Sequence, residues 1–133
     1  MKKQILIVGI IIILLAVGLS GYYLLSQKTG DINKVELVDY DVKSYSYNLS
    51  ADNPVEWKEI TGTVKNIAGT QISKIIIEVQ FYDSNNNLLI TKTDTAYDIA
   101  SSNTKEFMVE YANTENYYEN VDWNNIKFEF TVS

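Results

Sequence analysis

The 133-residue sequence predicts a mainly β protein, an antiparallel β-sandwich preceded by one N-terminal transmembrane helix. Three observations carry that expectation. The run from Ile5 to Leu25 (ILIVGIIIILLAVGLSGYYLL) contains no charge, and as a helix it would reach about 31 Å, the thickness of a bilayer's hydrocarbon core. From Lys34 onward apolar and polar residues alternate with a period of two, and no later stretch sustains a helical period. Turn-forming clusters of Asn, Asp, Ser and Gly separate the alternating runs, as in proteins built from many short strands.

The chain divides into residues 1–25, a membrane anchor or signal segment; residues 26–33, a polar linker (SQKTGDIN); and residues 34–133, one β domain. Lys2 and Lys3 precede the apolar run, so the positive-inside rule leaves the N-terminus in the cytoplasm and the domain outside it. Tyr22 and Tyr23 suit the interfacial belt. The alternative is a cleaved signal peptide with small residues at Ala16-Val17-Gly18 or Gly18-Leu19-Ser20, which secretes the same domain. Leu19-Ser20-Gly21 begins like a lipobox, but Tyr22 stands where a thiol is needed for acylation.

Charge and composition exclude several functions. Of eleven Lys, two precede the apolar run; the remaining nine face seventeen Asp and Glu, a net charge of −8 from Ser26 onward, and Arg is absent. Such a domain has no basic footprint for nucleic acid. Cys and His are absent too, so no disulfide, thiolate nucleophile, Ser-His pair or zinc site can be built.

The elements follow in order. Val38, Tyr40 and Val42 alternate with Asp39, Asp41 and Lys43; Tyr45, Tyr47 and Leu49 then alternate with Ser. The change of phase at Lys43-Ser44 predicts a bulge or a break into two strands. Asn48-Leu49-Ser50 matches a glycosylation sequon, and residues 50–54 (SADNP) form a turn. Ile60, Gly62 and Val64 share one strand face, and Gly62 marks the close approach of another backbone or a bulky ring. Residues 66–70 read as a hairpin loop, with Gly69 free to take a positive φ.

Ile75, Ile77, Val79 and Phe81 make the row expected to anchor the core. Ser84-Asn85-Asn86-Asn87 is a turn, followed by a Thr-rich strand from Leu88 to Tyr97. Phe107, Val109 and Tyr111 predict a further strand, residues 112–122 a loop with room for one helical turn, and Ile126, Phe128, Phe130 and Val132 the last strand.

Gly62-Thr63-Val64-Lys65-Asn66, a strand closing in Phe81-Tyr82-Asp83, an Asn-rich turn, Leu88-Leu89-Ile90 and Lys105-Glu106-Phe107 together resemble the FxLYD domain family. The resemblance covers about residues 60–132. It implies an immunoglobulin-like or fibronectin-like sandwich behind a signal or membrane segment, with no established catalysis. The matched residues Gly62, Val64, Asn66, Phe81, Tyr82 and Asp83 are read as fold-determining. Asn66 bonds backbone at the hairpin, Asp83 accepts N–H groups in an Asx-turn, and Tyr82 covers Gly62 from a neighbouring strand.

Asp83, Asn85, Asn87 and Asp94 have calcium-loop spacing, but Leu88 holds the position that needs glycine, so a simple hairpin is expected. Asp39 with Asp41, or Glu56 with Glu59, offer paired carboxylates without a desolvated pocket, so a solvated face is expected and no enzyme. No metal or cofactor is called for. Trp57, Tyr117, Tyr118 and Trp123 fall outside the core rows and form the candidate interaction surface, with packing at the ends of the sandwich as the alternative. The expected function is that of a membrane-anchored extracytoplasmic module presenting a surface to an envelope protein. The alternative is binding of a small ligand or cell-wall glycan on the same scaffold.

Overall fold

The structure, a computed structural model, describes residues 28–31, 33–48 and 53–133. The apolar run from Ile5 to Leu25 and most of the 50–54 turn lie outside the described residues. Among the described residues no helix is long and apolar enough to cross a membrane.

The chain is mainly β. Among the described residues seven strands follow in order: β1 (Lys28–Gly30), β2 (Val35–Asn48), β3 (Pro54–Asn66), β4 (Ile72–Tyr82), β5 (Leu88–Ile99), β6 (Thr104–Ala112) and β7 (Ile126–Val132). A 3-10 turn, Tyr118–Asn120, precedes β7. One sheet has the order β1-β7-β4-β5 and the other β2-β3-β6.

The two sheets share one core. Ile75, Ile77, Val79 and Phe81 of β4 are fully buried, as their spacing predicts, beside Ile126, Phe128 and Phe130 of β7. The opposite sheet supplies Val35, Leu37, Ile60, Val64, Phe107, Val109 and Tyr111. Rings interlock across the layers: Phe128 lies 4.9 Å from Tyr40 and 6.0 Å from Phe107, and Phe81 lies 5.0 Å from Tyr111. These tilted and edge-on contacts suit the aromatic quadrupole.

Among the described residues pairing is antiparallel with one exception, which draws residues 28–30 of the expected 26–33 linker into a sheet. Lys28, Thr29 and Gly30 pair parallel to Phe128, Glu129 and Phe130. Asp31 extends the join. Its N–H donates to the Phe130 carbonyl at 2.9 Å, and its Oδ2 accepts from the Val132 N–H at 2.7 Å. Without this segment the outer edge of β7 would present unpaired N–H and C=O groups.

Residues 66–70 are not a hairpin loop. β3 and β4 belong to different sheets, so the chain arches across the core there. Asn66 explains the arch. It is fully buried. Its Nδ2 donates to the carbonyls of Thr70 and Ile99, both at 2.8 Å, and its Oδ1 accepts from the Ala68 N–H at 2.8 Å. Its own N–H and carbonyl bond Asn103 and Ser102 in the arch between β5 and β6. One amide therefore ties two crossings together. Gly69 takes a φ of +86° in open space, as its place in the loop predicts.

β4 and β5 do form a hairpin. Asp83 Oδ1 accepts from the N–H groups of Asn85 (2.9 Å) and Asn87 (2.8 Å), and Asn86 turns the chain at a φ of 65°. The Asn87 N–H bond, more than any other contact, holds the Asp83 carboxyl below its ordinary pKa.

A second carboxylate is held low at the start of the 113–125 loop. Burial pushes Glu115 upward, but an ion pair with Lys92 and the bond from the Ala112 N–H outweigh it. A carboxyl depressed by folding stabilises the fold above its unfolded pKa, and that stability is lost as pH falls through the folded value. Glu115→Gln is therefore expected to flatten the fall in Tm between neutral and acid pH, measured by thermal denaturation against the parent.

Candidate functional site

The side chains outside the core decide where the protein can meet something else. In β3, Ile60, Gly62 and Val64 face inward, so Trp57, Glu59, Thr61 and Thr63 face out. The register with β2 puts Tyr45 opposite Trp57, Lys43 opposite Glu59, Asp41 opposite Thr61 and Asp39 opposite Thr63. On β6, Glu110, Met108 and Glu106 complete the last three rows.

The end of this outer face nearest the β2–β3 turn is aromatic. Tyr45 stacks on Trp57 with centroids 5.4 Å apart and planes 19° from parallel. Tyr47 meets the same indole edge-on at 5.7 Å. Tyr45 is 40% and Tyr47 50% exposed, and every residue from Lys43 to Asn48 is exposed. On the reverse side Lys58 donates to Ser44 Oγ at 2.6 Å.

The phase change at Lys43-Ser44 thus has another meaning than a bulge. β2 runs unbroken, and its register shift lies between Leu37 and Asp39, where Val38 is turned out to 39% exposure. Beyond it Tyr40 and Val42 pack on the core, while Tyr45 and Tyr47 project from the opposite face. The shift of apolar pattern records a change of destination from core to surface.

The four aromatics expected to share a surface do not. Tyr118 is 5% exposed and packs with Trp123, Tyr111 and Phe81 in a closed cluster at one end of the core, Tyr118–Trp123 being 5.4 Å and Phe81–Trp123 5.7 Å. Lys58 covers that indole from 5.1 Å. Burial raises the pKa of the Tyr118 phenol, whose hydroxyl is the only buried side-chain polar atom without a partner among the described residues. Tyr117 is 55% exposed on a left-handed backbone with φ 70°. Only Trp57 joins an exposed group, and Tyr45 and Tyr47 are the members the sequence pattern did not single out.

The remaining motif residues sit as follows. Val64 and Phe81 are fully buried. Gly62 is covered by a ring, but the ring is Phe107 of its own sheet. Tyr82 belongs to the other sheet, under the Lys127 ammonium at 4.5 Å, and donates to Gln80 Oε1 at 3.2 Å.

Asp94 sits in mid-β5 and accepts from the N–H groups of Thr95 (2.8 Å) and Met108 (2.9 Å), sealing the edge of β6. It is thereby engaged with backbone far along the strand from the Asp83 turn. Among the described residues no group of three or more Asp or Glu gathers as a metal site. Asp39 and Asp41 are exposed, and Asp41 Oδ1 accepts from the Val42 N–H at 2.9 Å. Thr61, Thr63, Met108 and these two aspartates floor a shallow open concavity of about 680 Å³ beside the aromatic group.

No family model matches this chain, and no curated protein matches it.

Proposed function

We propose that this chain is a membrane-anchored, extracytoplasmic, non-catalytic interaction module, with residues 5–25 as its tether. One observation carries the interaction part of the reading. Tyr45, Trp57 and Tyr47 stand together on the outer face of a long hairpin, where they contribute little to the core. Grouped exposed aromatics are characteristic of recognition surfaces, because they bring large contact area at low entropic cost. The tether part rests on the uncharged run and the lysines before it.

The strand order supports an immunoglobulin-like or fibronectin-like sandwich of the FxLYD kind. β2-β3-β6 corresponds to one layer of such a fold, and β5-β4-β7 to the other. β1 takes the place beside β7 where the last strand of a fibronectin domain would lie.

The concavity beside the aromatics favours a second reading, binding of a glycan by stacking on Tyr45 and Trp57 with hydroxyls bonded to Asp39 and Asp41. Its openness suits a weak, extended ligand and not an enclosed small molecule.

A photoreactive residue in place of Tyr47 tests the leading reading in intact cells of the native host. The expected result is a crosslinked envelope protein, with the domain digested by protease added outside. Protection of the domain until lysis would overturn the topology, and crosslinks to glycan alone would favour the second reading.

A further inference from the structure

The edge of β2 is protected along its first half and open along its second. Among the described residues β2 pairs with β3 on one side only. The Val42 N–H donates to the Asp41 carboxylate, so it faces the free side. In an antiparallel pair the residues facing the partner alternate with those facing away. Ser44, Ser46 and Asn48 therefore turn their backbone N–H and C=O groups outward as Val42 does. The register shift at Leu37/Asp39 and the Asp41 carboxylate obstruct the edge before residue 43. Residues 44–48 (SYSYN) contain no proline and no charge, the usual obstacles on exposed edges.

Beside that open edge stand Tyr45 and Tyr47, one strand spacing from where alternate side chains of an added strand would lie, with Trp57 of β3 one spacing further in. The charge of the face selects the sign of those side chains. Asp39, Asp41, Glu59, Glu106 and Glu110 share it with Lys43. An ammonium or guanidinium would meet carboxylates along the face and aromatic rings at its end. A second copy of the chain, itself acidic, would be repelled.

Resting on the interaction reading above, we propose that residues 44–48 accept an extended, basic segment of a partner protein as a fourth strand of the β2-β3-β6 sheet. Lysines or arginines at alternate positions of that segment lie over Tyr45 and Tyr47, next to the acidic rows of the same face.

The test uses the full-length chain in detergent micelles and a labelled peptide of alternating Lys with Thr and Val, read by fluorescence anisotropy. Saturable binding is expected, weakening as salt rises, with none for the same peptide carrying Glu in place of Lys. Ser46→Pro removes one outward N–H without touching the ladder to β3, and is expected to weaken binding at least about tenfold, the effect of a single lost anchor of ~1.4 kcal/mol. If Ser46→Pro fails to fold, Tyr47→Lys, placed on the exposed face, is expected to produce a comparable loss.

Equal affinity for parent and both variants would overturn strand addition, as would binding of the Glu peptide or no saturable binding. Dimers of the parent lost on Ser46→Pro, or displacement of the peptide by a chitin oligosaccharide, would also overturn it by showing a different occupant. A failed titration alongside an envelope protein crosslinked at position 47 removes this inference and leaves the interaction reading standing. Absence of both removes the two together.

Discussion

Gly62→Val is expected to destabilise the fold by about 3 kcal/mol, the upper range for overpacking a tight site, or roughly 12–20 °C in Tm for a domain of this size. A Cβ at position 62 would stand 2.6 Å from Cε2 of the Phe107 ring and 2.7 Å from the Asp39 carbonyl oxygen. The ring is buried and packs 6.0 Å from Phe128, so shifting it disturbs the core. The carbonyl belongs to backbone next to the β2 register shift, so relief there means breaking pairing. Thermal denaturation followed by circular dichroism checks the value. Phe107→Leu in the Gly62→Ala background is expected to recover part of the loss, and the non-additivity measures the contact. Full additivity would show that the ring is not the obstacle.

Asn66→Ala comes next, with an expected loss of about 2–4 kcal/mol by urea denaturation. Its amide satisfies two carbonyls and one N–H at 2.8 Å, and the alanine leaves the buried Ile99 carbonyl and the part-buried Thr70 carbonyl and Ala68 N–H without it. A hydrogen bond contributes only about 1 kcal/mol net, but each buried group left unsatisfied costs about 1–3 kcal/mol. Asn66→Asp replaces the amide donor with a second acceptor. The carboxylate still accepts from Ala68 but opposes the carbonyls of Thr70 and Ile99. Desolvation and that opposition raise its folded pKa. A raised carboxyl pKa gives stability below the unfolded value that is lost as pH rises. At neutral pH the aspartate is therefore expected to be worse than alanine, with its deficit against the parent narrowing in acid.

Much of the β architecture is legible in the residue pattern, because one face of each strand is buried and side chains alternate strictly. The rows Ile75-Ile77-Val79-Phe81, Phe107-Val109-Tyr111 and Ile126-Phe128-Phe130 are core rows by period alone. Sheet membership is not legible this way. Residues 66–70 carry hairpin chemistry yet cross between layers, since the deciding bond, Asn66 to Ile99, joins residues 33 apart in the chain. The parallel β1 escaped for a similar reason: a three-residue strand has no measurable period, and its partner lies a hundred residues away.

The surface site was half visible. Trp57 stands out because it fits no core row. Tyr45 and Tyr47 keep perfect alternation, and alternation alone does not say which face is wet. The fixed reference is Ile60 opposite Val42, which sets the inner face and sends Tyr45 outward. Tyr118 and Trp123 erred the other way, since a loop position gives no periodic sign that its ring folds back over the core.

The parallel pairing of β1 with β7 has a mechanical consequence. A pull on the chain at residue 27 along the strand axis loads the short β1 ladder and the two Asp31 bonds together, in shear, before it reaches the register between β2 and β3. The ladder spans three residue pairs, so it is the element expected to yield first, freeing residues 28–34 while both layers stay closed. Seven extended residues add about 24 Å of reach. The join can thus act as an elastic fuse, lengthening under load and re-forming when tension falls.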